Sequence, residues 1–139
     1  MSFVIDESAR NILARSLPLF HSNRDAIAEA MEASFRAARA SGDAFGQPEI
    51  AAMVLVELLL AQGRSLVDRG RTEGLEDTLA EHRALGISGR HYSRFGDALV
   101  AILGDVLGPN LPRIVPAVWC DAFWVVIGAV TAEEELAHA

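Results

Sequence analysis

The residue in this chain whose type and position most invite chemistry is His82. At about 100° per residue, Leu75, Leu79 and His82 fall within about 60° of one another on a predicted short helix. Glu73, Glu76, Asp77, Glu81 and Arg83 lie mainly on its other sides. The imidazole therefore points where the leucines point. Neutral imidazole in apolar, water-poor surroundings is a good iron ligand, in a metal site or a haem site. The same position suits a core histidine whose ring is satisfied by a backbone carbonyl. The pattern alone leaves both readings open.

The two kinds of iron site differ in what else they need. A non-haem site requires several converging ligands, as in His-Glu-x-x-His or Cys-x-x-Cys, and neither motif occurs. A haem requires one strong axial ligand, with apolar walls supplying the rest. Tyr92 is the second residue of interest. It shares a stripe with Phe95 and Leu99, and a buried hydroxyl seeks a partner. Other reactive types read as structural: Cys120 as a small buried hydrophobe, Glu57 as the exposed edge of an apolar helix, and Trp119 and Trp124 as packing. His91 falls in the first turn of its helix, while His21 and His138 read as surface residues.

Six helices position these side chains. "DESARNILARSLPLF" places Ile5, Ala9, Ile12 and Leu13 near one face, and Pro18 should disturb its end. "SNRDAIAEAMEASFRAARA" opens on a capping signature at Ser22 and Asp25 and carries the stripe Ile27, Ala30, Met31, Phe35 and Ala38. "PEIAAMVLVELLLAQGRSLVDRG" starts with Pro48 in its first turn and is apolar almost all round, which predicts a central helix. "TEGLEDTLAEHRALG" is short, with Thr72 as its expected N-cap and Gly86 as its stop. The fifth helix aligns Tyr92, Phe95, Leu99, Ile102 and Val106, and the last runs from "RIVPAVW" onward. No segment alternates apolar and polar residues between turns, so the fold class is all-α, in a single domain over 1–139.

Composition narrows the setting. With 51% apolar and 22% charged residues the chain is globular. A net charge of −7 without a basic cluster argues against nucleic acid as a partner. One cysteine excludes an internal disulfide and fits a reducing compartment. The start "MSFVIDESARN" lacks a secretory pattern, and "AFWVVIGAV" is too short to span a bilayer. The expectation is a cytoplasmic protein with no membrane span.

"EHRALGISGRHYSRFGDALVAILGDVLG" resembles the bacterial haemoglobins, both the single-domain type and the globin domain of flavohaemoglobins. That family has a histidine, a Gly four residues later, then His-Tyr, Gly, an apolar helix and Val-Leu-Gly. The matching residues are His82, Gly86, His91, Tyr92, Gly96 and 106–108, and the family's tryptophan in the last helix falls on Trp119. "QPEIAAMVLVELLLAQG" is similar to the family's distal helix, whose pocket segment begins Gln-Pro, here Gln47 and Pro48. Together the matches cover 47–62 and about 80–135.

The resemblance implies a globin-like fold holding haem b, with His82 as proximal ligand and a small gas (oxygen, nitric oxide or carbon monoxide) on the other face. It also implies a network in which Tyr92 and Glu134 hydrogen-bond around the proximal ring and push electron density onto iron. Glu134 lies in "AEEELAHA", where a glutamate facing water is an equal reading. On the distal side the family's oxygen-binding tyrosine has no counterpart, since Tyr92 is the sole tyrosine. Met31 or Phe35 occupies that stretch, and Gln47 is the remaining polar candidate. The region between the second and third helices is shorter than the family's by about eight residues, with Phe45 standing in for the family's wedge against the haem face. Turnover of nitric oxide would require a separate reductase. A haem-based gas or redox sensor, as a homodimer through the last helix, and a haem-less interaction module are the competing readings.

Overall fold

The computed structural model describes the backbone at residues 5–40, 47–108 and 110–138, and side chains at 5–38, 47–108 and 110–132. It is all-α. Six helices are present and no strand occurs among the described residues: α1 (Glu7–Ser22), α2 (Arg24–Ala40), α3 (Pro48–Arg69), α4 (Thr78–Ala84), α5 (Gly89–Leu107) and α6 (Ile114–His138). Phe45 and the stretch 41–46, where the shortened connection was expected, lie outside the described residues.

The predicted stripes become the core. Ile27, Met31, Phe35 and Ala38 of α2 are buried, as are Tyr92, Phe95 and Leu99 of α5, and Ala30, Ile102 and Val106 are half-buried. α2 packs on α3 and α5, α1 on α3 and α6, α5 on α6, and the short α4 on α6. α3 is the central helix: Leu55, Val56 and Leu59 are fully buried, and Pro48 occupies its first turn. Its left-handed Gly70 (φ 75°) ends it.

α3 and Ile114–Ala132 of α6 are long and apolar enough, by length and composition, to cross a bilayer. Half of each window is buried inside the fold, and a helix shared among several neighbours acquires that composition for packing reasons.

Three helix boundaries differ from the sequence expectation. Pro18 does not end α1, which continues to Ser22. Ser22 does not cap α2, because its hydroxyl donates back to the Pro18 carbonyl at 2.9 Å. Asn23 instead separates the two helices, its carbonyl accepting from Ile27 N–H at 2.9 Å. Thr72 does not cap α4, which starts six residues later. A long-range pin explains this: the Gln62 carboxamide accepts from Glu73 N–H at 3.1 Å and donates to Glu73 C=O at 2.8 Å. With both backbone groups of Glu73 taken and Gly74 left-handed (φ 71°), residues 71–77 cannot wind into helix. Leu75, expected on the helix face, is buried in this lead-in.

Ser16, buried in α1, bridges the first and last helices: it donates to the Ile12 carbonyl at 2.7 Å and accepts from the Trp119 indole N–H at 2.8 Å. The ring of Phe20 stacks on the same indole, at 4.5 Å between centroids.

Candidate functional site around His82

His82 sits in the last turn of a seven-residue helix and is only 3% exposed. Two features hold it. Its carbonyl accepts from Ile87 N–H at 2.9 Å, across the turn that left-handed Gly86 (φ 78°) makes feasible. Its Nδ1 lies 2.6 Å from the hydroxyl of Tyr92, itself 5% exposed. The rings meet at a tilt of 53°. Burial lowers the basicity of His82, because a charged imidazolium loses solvation there.

Tyr92 is delivered by the start of α5. Ser88 is the N-cap, and its carbonyl accepts from His91 N–H at 3.0 Å and Tyr92 N–H at 3.3 Å. His91, as expected, is in the first turn. Its Nδ1 accepts from Ser88 N–H at 3.0 Å, so it takes the part usually played by glutamate in a capping box. Ile87, just ahead of the cap, is 2% exposed. A closed circuit results: His82 to Ile87 through the backbone, Ile87 to Ser88 along the chain, Ser88 to Tyr92 through the helix turn, and Tyr92 back to the His82 ring.

The ring of His82 makes no second hydrogen bond among the described residues. Its Nε2 is therefore the atom available to a ligand, on a ring that burial keeps neutral. That donor set fits a group needing one axial imidazole, of which haem is the example the sequence suggested. No group of three or more His, Cys, Asp or Glu among the described residues could hold a metal ion.

The other expected site residues are distributed as follows. Leu79 is half-buried on α4, beside His82. Met31 is fully buried on α2, and so is Phe35, whose ring meets His91 edge-on at 5.5 Å. Pro48 is buried, but Gln47, the N-cap residue of α3, is exposed and makes no side-chain cap bond. Glu134 belongs to α6 by its backbone; its side chain lies outside the described residues. Glu57 is at the exposed edge of α3, paired with Arg24 at 3.0 Å.

Cavities of about 210, 200 and 230 Å³ lie between helices on the described surface, and none of the three takes in His82. The circuit through Ile87 and Ser88, and the part of His91 in it, were invisible to periodicity. The only signal was Ser88 three residues before His91, a capping spacing with an unusual acceptor. Comparison with protein-family models, with curated proteins and with solved structures finds no match to this chain.

Proposed function

We propose that this protein is a haem-binding, globin-like protein that takes oxygen or another small gas at the iron, with His82 as the axial ligand. The observation that carries the proposal is the buried His82 ring with Nδ1 engaged by Tyr92 and Nε2 free of other bonds among the described residues. It is supported by the arrangement the resemblance requires, a short fourth helix bearing the histidine and a fifth helix bearing its tyrosine. Bound haem would supply a gas-binding iron. The protein's own residues do the rest. Tyr92 fixes the plane of the imidazole, and hydrogen bonding at Nδ1 tunes how strongly Nε2 donates. Met31 or Phe35, both fully buried on α2, would give an apolar distal wall in place of a hydrogen-bond donor, which would weaken the hold on oxygen relative to carbon monoxide. In this reading the protein is cytoplasmic, and any nitric oxide turnover draws electrons from a separate reductase.

The experiment is an ultraviolet–visible spectrum after hemin addition: oxidised, reduced, and under carbon monoxide. A Soret band at one haem per chain that shifts with carbon monoxide, and is lost in His82→Ala but kept in His21→Ala, is the expected result. Absence of a Soret band, or its full retention in His82→Ala, overturns the proposal.

A further inference from the structure

The α5–α6 seam carries a large aromatic side chain that the fold leaves partly uncovered. Trp124 of α6 is 43% exposed, whereas Trp119 on the same helix is fully buried. The inner side of the Trp124 indole rests on Gly96 of α5, where an added Cβ would come within 2.3 Å of the ring. Phe123 meets it edge-on, at 5.3 Å between centroids. Glycine at 96 thus seats the ring close against the backbone of α5, with its other side open to solvent. Val100 is also exposed, on the same side of α5 and one turn beyond Asp97.

Two carboxylates frame this platform, and Cys120 locates them. Its Sγ lies 3.5 Å from the Gly96 carbonyl. Burial, Asp121 and Asp97 all push its thiol up, against the pull of the Trp124 indole bonded to it. Asp97 of α5 and Asp121 of α6 therefore stand near one sulfur, and both are exposed. No ion pair engages either of them among the described residues. Arg94 is turned away, donating to the Ser34 hydroxyl of α2 at 3.0 Å. Arg90 lies two turns before Asp97, and Arg113 just ahead of α6. The acidic groove between α2 and α3, lined by Asp25, Glu29, Glu32 and Glu49, is different. There Arg24 pairs with Asp25, and Arg36 with both Glu32 and Glu49.

This charge pattern selects the occupant. An exposed indole between unpaired carboxylates attracts an apolar side chain flanked by Lys or Arg, and such cations also favour the face of the ring. A second copy of the chain fits poorly. Twofold pairing centred on Trp124 would bring Asp97 and Asp121 of both copies together, in a chain of net charge −7. An anionic bilayer surface is repelled by the same carboxylates. We propose that Trp124, Val100, Asp97 and Asp121 form a docking surface for a cationic amphipathic helix of a partner protein. The apolar side of that helix covers the indole, and its Lys or Arg side chains reach the two carboxylates. The surface operates whether or not His82 carries iron.

The test titrates the whole chain with a synthetic Leu/Lys helix of about five turns, its leucines on one face, and with a counterpart carrying Glu for Lys. Calorimetry at low ionic strength should detect binding of the lysine peptide and none of the glutamate peptide. Backbone amide shifts should gather around Asp97, Val100, Asp121 and Trp124. Trp124→Ala should weaken binding roughly tenfold or more, and Asp97→Asn with Asp121→Asn roughly three- to tenfold. Glu29→Gln with Glu49→Gln should leave it unchanged. If Trp124→Ala does not fold, the aspartate variants and the amide shifts decide. Failure of the lysine peptide to bind, wild-type affinity in the Trp124 or aspartate variants, or shifts gathered at Glu29 and Glu49, overturns the proposal. A dimer in sedimentation velocity that Trp124→Ala dissolves assigns the face to a second copy. Flotation with phosphatidylcholine vesicles that the same variant abolishes assigns it to a bilayer. Either outcome also overturns the proposal.

Discussion

Tyr92 Oη stands 2.6 Å from His82 Nδ1, and both side chains are buried. A buried pair of this kind costs more to break than to form, because the survivor keeps a desolvated polar atom with nothing to bond. Tyr92→Phe should therefore destabilise the protein by about 1–3 kcal/mol, read as a lower denaturant midpoint with unchanged slope. A midpoint equal to wild type would mean that water reaches Nδ1.

The lowered basicity of His82 fixes the sign of a pH dependence. The folded state disfavours the proton, so the unfolded chain takes it up first, near the ordinary imidazole value of about 6.5. Stability is thus complete above that pH and falls as pH drops through it. Chemical denaturation between pH 8 and 5.5 should show this decline, and His82→Gln should flatten part of it. A stability that rises on acidification would contradict the burial of His82.

Two glycines face indole rings, and their alanine variants should rank in a definite order. A Cβ at Gly63 would lie 2.8 Å from Trp119, whose ring is fully buried and bonded to Ser16. A Cβ at Gly96 would meet Trp124 at 2.3 Å, a closer approach, but Trp124 is 43% exposed and can swing outward. Gly63→Ala should cost about 1–3 kcal/mol through overpacking. Gly96→Ala should cost less, despite the shorter distance. Thermal melts of the two variants check the order.

Gln62 is a side chain doing the work of a strand neighbour, holding both backbone groups of Glu73. Gln62→Leu keeps the volume and removes both bonds, and should cost about 1–3 kcal/mol. Faster amide exchange at Glu73 should accompany the loss; unchanged exchange would show that solvent already competes there.

How far the sequence foretold this arrangement follows from the range of each interaction. Ile27, Met31 and Phe35 on α2, and Tyr92, Phe95 and Leu99 on α5, were legible because a helical period records which face is buried. His82 was found by the same logic, and Gly86 as a stop because only a left-handed residue closes that turn. The caps at Ser22 and Thr72 failed for a common reason. Each is a local signal overridden by a competitor: the Pro18 carbonyl for Ser22, and the distant Gln62 for the segment holding Thr72. The Ser16–Trp119 bond spans 103 residues, and no periodicity reports a pairing of that separation.

That same bond orders events during synthesis. Ser16, Leu17 and Phe20 leave the ribosome about a hundred residues, or some 5–20 seconds at ordinary elongation rates, before Trp119 arrives to cover them. α3 can shelter part of that face earlier, but the indole that satisfies the Ser16 hydroxyl comes last. α1 is therefore made long before the indole that seals it, and its apolar face stays incompletely covered until α6 is synthesised.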